Sequence, residues 1–542
     1  MAQHDDTIQR PRWYVTTAIP YVNARPHIGH ALEFTLTDAL ARYHRQRGEQ
    51  VFFLTGTDDN SLKNAQAAEK EGIPTAELVA RNAEYFAGLR SALDLSYDDF
   101  IRTSVDPRHA AGVEKLWRAC AENGDIYTRA YQGLYCVGCE QFYTEAELID
   151  GLCPVHRTRP ELVEEENYFF RLSRYQQQLD DLIASDTLRI VPTSRKNEVL
   201  SFIRSGLQDF SISRSRARAR DWGIPVPDDP SQVIYVWFDA LANYITALDY
   251  ANDGPLYQRY WAENPHRVHV IGKDIIRFHA IYWPAMLLSA HVLPPSDILV
   301  HGFVTVSGEK MSKSLGNVLD PLTLINAYGT EAVRYFFLRA VPSTDDADFT
   351  IERFVRTINA DLGDRLGNLL NRTVSMVGRY FAGVVPAPVE GADKDGDADR
   401  ALREAAAQVE QRVAAAMARY AVHDALAAIW ELADAANKYV EETAPWSLAK
   451  QRKAGGASGE AAGARLGTVL YSLVEALRLL ALHLTPFLPE ASATIARQIG
   501  LPDEMTAEWR QVTAWGDYRP GTSVAPGPVL FAKHELPAAD EE

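Results

Sequence analysis

Residues 12–56 constrain the fold more than any other stretch. "RWYVTTA" (Arg12–Ala18) is an apolar, β-branched run that reads as a buried strand, and the turn-rich "IPYVNARP" follows it. Ile28, Leu32, Leu36, Ala39 or Leu40, and Tyr43 then recur at helical spacing until Gly48 stops the pattern. "QVFFLTG" (Gln50–Gly56) is a second strand. Strand, helix, strand in this order is a βαβ unit, so the sheet is parallel and its crossover right-handed. "HRVHVIG" (His266–Gly272) and "SDILVHG" (Ser296–Gly302) flank another helix, expected over Ile275–Ala290. They read as a second half of the same sheet, with a segment of different character between the halves.

The chain has 542 residues, too many for one core, so two or more domains are expected. From about Val355 strand signals vanish and long helical patterns take over, as in "NADLGDRLGNLLNRTVSMVGRYF" and "LGTVLYSLVEALRLLALHL", which predicts an all-helical bundle. "VEGADKDGDADR" and "QRKAGGASGEAAGA" read as flexible inter-helix loops, and "ELPAADEE" as a frayed acidic tail. A formal charge of −17 argues against indiscriminate nucleic-acid binding but leaves room for a local basic patch. No run reads as membrane-spanning, and "MAQHDDTIQRPRWY" lacks the apolar centre of a signal peptide, so a cytoplasmic location is expected.

Three of the four cysteines lie in "YCVGCEQFYTEAELIDGLCPVH". Cys136 and Cys139 form one close pair, Cys153 and His156 another. Two pairs of soft ligands on tight turns suit tetrahedral zinc, and four protein ligands leave no open position, so the site is expected to be structural. Cys120 falls outside the pattern and reads as a small buried hydrophobe.

"PHIGH" (Pro26–His30) opens the first long helix. Pro26 suits a first helical turn, Gly29 lets a ligand approach the backbone, and a helix N-terminus favours phosphate. The imidazoles of His27 and His30 would add donors. A metal reading needs a third ligand, and none lies nearby; a merely solvated helix start also fits this motif taken alone. In "VTVSGEKMSKSLGN" (Val304–Asn317), Lys310, Ser312, Lys313 and Ser314 lie between Gly308 and Gly316, which suits a mobile clamp on a polyphosphate. One motif follows the first strand and the other follows the last.

"HIGH" and "KMSKS" together resemble the two signatures of the class I aminoacyl-tRNA synthetases. "AIPYVNARPHIGH", "TGTDDN", "YVWFDALANY", "IGKDIIRFH", the single zinc knuckle and "NKYVEETAPW" look like the methionyl-tRNA synthetase family, in that family's order from about Trp13 to Leu488. The resemblance implies an α/β fold: a Rossmann-like, parallel-sheet catalytic domain split by a connective insertion, then an all-α anticodon-binding bundle. On this reading 10–118 and 223–303 are the catalytic halves and 119–222 is the insertion with the zinc knuckle. The KMSKS loop and stem-contact region spans 304–356, the anticodon domain 357–510 and the C-terminal tail 511–542.

The implied reaction joins methionine to ATP, releases pyrophosphate, and passes the methionyl group to the terminal ribose of tRNA(Met), initiator included. The methionine carboxylate is already a nucleophile, so positioning and electrostatic stabilisation dominate. The resemblance implies His27, His30, Lys310 and Lys313 as the catalytic groups. ATP, arriving with Mg2+, is implied to meet His27, Gly29, His30, Gly272, Asp274, Lys310, Ser312 and Lys313; Lys273 stays unassigned.

The implied methionine slot comprises Ala18, Ile19, Tyr21, Trp237, Ala240, Leu241, Tyr244, Ile275 and His279, with Asp59 placed to bind the substrate ammonium. By spacing alone, Trp237, Ala240 or Leu241, and Tyr244 also fit a core stripe, and Asp59 also fits a turn. Asn368 and Arg372 lie at i, i+4, and a helix ends near Pro445, beside Trp446. These four are expected to read the anticodon, by stacking and base-edge contacts. No appended dimerisation module is evident, so a monomer is expected. The alternative is another class I synthetase of the leucine, valine, isoleucine or cysteine group, but the insertion is too short for the large editing domain that the first three carry.

Overall fold

The computed structural model describes residues 10–136, 141–154, 157–306, 308–310, 318–389, 396–502 and 513–536. The chain forms two compact units, Met1–Thr37 with Gln50–His301, and Asp38–Glu49 with Gly302–Glu542.

The first unit is built on a six-stranded parallel sheet. Its strands are β1 (Arg12–Thr17), β2 (Gln50–Thr57), β3 (Asp99–Arg102), β4 (Arg189–Val191), β5 (Arg267–Gly272) and β6 (Asp297–His301). Their order is β3-β2-β1-β5-β6-β4. Every residue of β5 and β6 is buried, as strands covered on both faces require. β4 comes from within the insertion and pairs with β6, so the insertion supplies an edge strand to the main sheet. The rest of that segment carries an antiparallel sheet in which Ile126–Cys136 pairs with Glu161–Phe170.

Helix α1 (Ile28–Gln46) links β1 to β2 as expected. Helix α2 (Pro107–Glu122) packs on helix α3 (Val236–Thr246). A Cβ on Gly112 would lie 2.4 Å from Thr246 Cγ2, so only glycine permits this approach. The single helix expected over Ile275–Ala290 is instead three pieces: a 3₁₀ turn at Lys273–Ile275, a π-helical turn at Phe278–Tyr282 and an α-helix at Trp283–Ser289. Pro284 has no N–H to continue the regular ladder, and the neighbouring bond runs from the Trp283 N–H to the Phe278 carbonyl.

In the second unit a hairpin, Val304–Val306 with Glu309–Lys310, is followed by helices. They include α4 (Asn368–Phe381), α5 (Val422–Thr443), α6 (Pro445–Ala454) and α7 (Gly456–Leu484). Three expectations are corrected here. The end of "VEGADKDGDADR" is not a loop: Asp397–Arg400 open the helix Asp397–Met417, and residues 390–395 lie outside the described residues. "QRKAGGASGEAAGA" is not a loop: it holds the end of α6 and the start of α7, and the break is confined to Gly455 and Gly456, both at positive φ. Alanines flanking the glycines carry the helix on. α7 is also long and apolar enough to cross a membrane, contrary to the reading of the sequence, but its most apolar stretch is wholly buried in the protein. Within 511–542, the described residues return over the bundle: Val385 N–H donates to the Thr522 carbonyl and Tyr471 Oη–H to the Tyr518 carbonyl.

Candidate active site and anticodon face

β1 and β5 are adjacent, and the chain leaves their carboxyl ends in opposite directions, which opens the crevice where parallel sheets bind ligands. Glu33 of α1 braces that point. Its Oε1 accepts the Ala18 N–H at 2.7 Å and its Oε2 pairs with His301 Nε2 at 2.8 Å. Thus one carboxylate ties the end of β1, the first turns of α1 and the end of β6. Neither Glu33 nor His301 stood out in the sequence; the available signal was a carboxylate within an apolar helical run.

His27 and His30 are brought together, their rings stacked with centroids 3.8 Å apart. The helix begins at Ile28, so His27 is its N-cap and Pro26 precedes the cap rather than occupying the first turn. His27 Nδ1 accepts the Gly29 N–H at 3.1 Å, and His30 Nδ1 accepts the His27 N–H at 3.2 Å. The Gly29 N–H is therefore capped by His27 itself. These bonds select the neutral tautomer with its proton on Nε2. Burial, with the His27 and His301 rings nearby, pushes the His30 imidazole well below the usual histidine range. His30 is a neutral donor at pH 7.

The expected amino-acid pocket assembles around α3. Tyr21 meets Trp237 edge to face at 6.4 Å, and Trp237 stacks on Phe278 at 3.7 Å. His279 Nδ1–H donates to the Ile275 carbonyl at 3.0 Å, so Nε2 accepts the Tyr244 Oη–H at 2.7 Å. Burial pushes His279 down to about 4 and keeps it neutral. Ala240, Leu241 and Tyr244 are buried, while Ala18, Ile19, Trp237 and Ile275 pack at the edge of the same core. Sequence reasoning missed Phe278 and the layer beneath: Trp283 Nε1–H donates to His269 Nε2, and Thr16 Oγ1 meets His269 Nδ1. Gly272 closes β5 beside Asp274, whose Oδ1 lies 3.0 Å from where a Cβ would sit.

Asp59 is more enclosed than its place after a strand suggests. Its side chain is buried; Oδ1 accepts from Thr57 Oγ1, while Oδ2 accepts from Ser104 Oγ at 2.6 Å and from Arg102 Nη2 at 3.0 Å. Both oxygens are engaged within the first unit, as the turn reading requires, and a substrate ammonium would have to share them. Burial raises its carboxyl above the ordinary value, against the opposing pull of Ser104, Arg102 and Thr57.

Cys136 and Cys153 are buried together with Tyr143, which sets one member of each expected ligand pair in one small cluster. Cys139 and His156 lie outside the described residues, as do Ser312 and Lys313. The backbone of Lys310 is in the hairpin, paired in register with Thr305. Cys120 is buried, its thiol pushed up to about 12 by desolvation.

In the helical unit, Arg372 of α4 lies over the Trp446 ring, 5.8 Å from its centroid, and pairs with Glu441 at 2.7 Å. Asn368 is exposed one turn before Arg372. Ala444, in the left-handed region, turns the chain between α5 and α6; Pro445 follows at the first position of α6, and Trp446 stands 44 % exposed.

Two family descriptions match the chain: "tRNA synthetases class I (M)" over residues 13–159 and 145–374, and "Anticodon binding domain of methionyl tRNA ligase" over 385–541. A methionine–tRNA ligase from Synechocystis sp. is 42 % identical, with 98 % of this chain and 99 % of that protein covered. One from Clostridium acetobutylicum is 42 % identical across 98 % of this chain and 80 % of its own length. The methionyl-tRNA synthetase of Mycobacterium tuberculosis, solved in complex with methionyl-adenylate, superposes with a TM-score of 0.90 at 43 % identity, covering 96 % of this chain and 99 % of that one.

Proposed function

The chain belongs to the methionyl-tRNA synthetases of class I, and from that premise we propose how its residues divide the work. The enzyme activates methionine with ATP and transfers it to tRNA. His27 and His30 donate Nε2–H to the triphosphate as the methionine carboxylate attacks the α-phosphate and pyrophosphate leaves. Because His30 is neutral, the positive charge that offsets the departing pyrophosphate falls to Lys310 and Lys313, with Ser312 as a further donor; magnesium accompanies the nucleotide. Gly272 and Asp274 border the adenosine. The thioether lies against Tyr21, Trp237 and His279, a polarisable group on aromatic walls. The substrate ammonium shares the Asp59 carboxylate with Arg102.

Cys136, Cys139, Cys153 and His156 hold one structural zinc ion; the shared burial of Cys136 and Cys153 supports this. Trp446 stacks on a splayed anticodon base while Asn368 and Arg372 read its edges, in initiator and elongator tRNA(Met) alike. The enzyme acts as a monomer in the cytoplasm. The observation that carries the reading of the active site is the stacked pair of Nε2–H imidazoles at the carboxyl end of β1. ATP–pyrophosphate exchange with a panel of amino acids tests it: methionine alone is expected to support exchange, and equal exchange with leucine, valine, isoleucine or cysteine would overturn it.

A further inference from the structure

A buried polar network outside the proposed contact residues joins both aromatic walls of the pocket. Asp239, on α3 two residues after Trp237, is fully buried. Its Oδ1 accepts from His109 Nε2 of α2 at 2.5 Å, and its Oδ2 accepts from Asn60 Nδ2 at 2.8 Å. His109 Nδ1 in turn meets Thr246 Oγ1, at the end of α3, at 2.8 Å. Asn60 belongs to the loop after β2, where its N–H donates to Asp58 Oδ1. The Asp58 N–H donates to the Pro20 carbonyl, and Asp58 bridges Tyr21. One carboxylate therefore holds the helix that carries Trp237 and the loop that seats Tyr21.

We propose that Asp239, acting through Asn60 and His109, is a positioning residue that sets the gap between Tyr21 and Trp237 and thereby the enzyme's affinity for methionine. This rests on the pocket reading above. Both Asp239 oxygens are taken by His109 and Asn60. Two rings that must grip a thioether from different elements need a fixed separation, and misplacement by about 1 Å can reduce a rate about a hundredfold. Asn60 supplies the donor that a carboxylate on α3 needs from the loop. An aspartate there would oppose two buried carboxylates, Asp58 and Asp239.

The test uses the full enzyme and three variants. Asn60→Asp is expected to raise the methionine KM by roughly tenfold to a hundredfold with the ATP KM little changed. Asp239→Asn, which keeps an acceptor for His109, is expected to give a smaller rise of the same kind. The double variant Asn60→Asp/Asp239→Asn restores a donor–acceptor pair with its polarity reversed, and is expected to recover part of the methionine KM, because the new carboxylate at 60 still opposes buried Asp58 and no longer donates to the Thr103 carbonyl. It keeps the test alive should Asn60→Asp fail to fold. Loss of thermal stability in Asp239→Asn with an unchanged methionine KM, parallel rises in both KM values, or no recovery in the double variant would each overturn the proposal. Trp237→Ala separates it from the pocket reading. If Trp237→Ala leaves the methionine KM unchanged, the pocket reading fails; if it raises that KM while the network variants do not, only this proposal fails.

Discussion

The wall around His279 and the face around Trp446 are both aromatic, yet their surroundings are opposite. At His279 both ring nitrogens have a partner: Nδ1–H on the Ile275 carbonyl, Nε2 accepting from Tyr244. The ring is buried and neutral. At Trp446 the ring is half open, and the nearby cation, Arg372, is held by an exposed glutamate, Glu441. If this wall grips a small apolar side chain, its fixed hydrogen bonds matter, since discrimination between such substrates rests on single methyl groups. An anticodon is selected by exposed groups that exchange water and local partners for bases. The first site is therefore expected to be brittle to internal changes, the second to respond mainly to loss of the contacting side chain.

The largest effects should come from the phosphate side. His30→Ala removes an Nε2–H donor and the cap on the His27 N–H, so adenylate formation should fall by about 100- to 1000-fold in single-turnover assays. Lys313→Ala should also slow that step while methionine affinity is largely kept; unchanged activation in either variant would break the assignment. Trp446→Ala should reduce tRNA charging by roughly tenfold to a hundredfold, the worth of one stacked base, with ATP–pyrophosphate exchange intact. Equal loss of both activities would erase the contrast between the two regions.

What could be read in advance followed the range over which residues interact. β1, β2, β5 and β6 are apolar runs and α1 carries a helical period, and the observed strand ends differ from the expected ones by at most one residue. β4 is three residues long, too short to show a period, and is a strand only because β6 offers it an edge. The enclosure of Asp59 was not legible because two of the groups that engage it, Arg102 and Ser104, arrive from the end of β3 and the loop after it. The tautomers of His27 and His30 were invisible because they depend on backbone N–H groups within one turn, not on residue type.

A smaller effect sharpens the idea of a brittle pocket. Tyr244→Phe keeps the ring that lies 4.1 Å from His269 but removes the Oη–H that donates to His279 Nε2. An unpaired buried acceptor costs about 1–3 kcal/mol, so the urea midpoint should fall and the methionine KM should rise together. A fall in stability with an unchanged KM would make Tyr244 a core residue only.

The smallest effect belongs to the helical unit and concerns charge rather than contact. Glu331 receives the N–H groups of Glu490 and Ala491, at the start of the helix Pro489–Gln498, on its two carboxylate oxygens. Burial nevertheless lifts its carboxyl from 4.5 to about 7, because desolvation outweighs those bonds and Arg334. A folded-state value above the unfolded one means that the folded protein binds the extra proton. The associated stability is complete below about pH 4.5 and is lost as pH rises through 7. Glu331→Gln keeps a neutral acceptor and never buries a charge. Its thermal midpoint relative to the parent enzyme should therefore improve steadily from about pH 5 to about pH 8, whatever the offset at the acid end. The His279 region predicts the opposite slope for its own unit: a histidine held at about 4 when folded is undermined as pH falls below its unfolded value of 6.5. A constant difference between Glu331→Gln and the parent across that range would show that the carboxylate is solvated, and that the helical unit tolerates charge at this helix start without penalty.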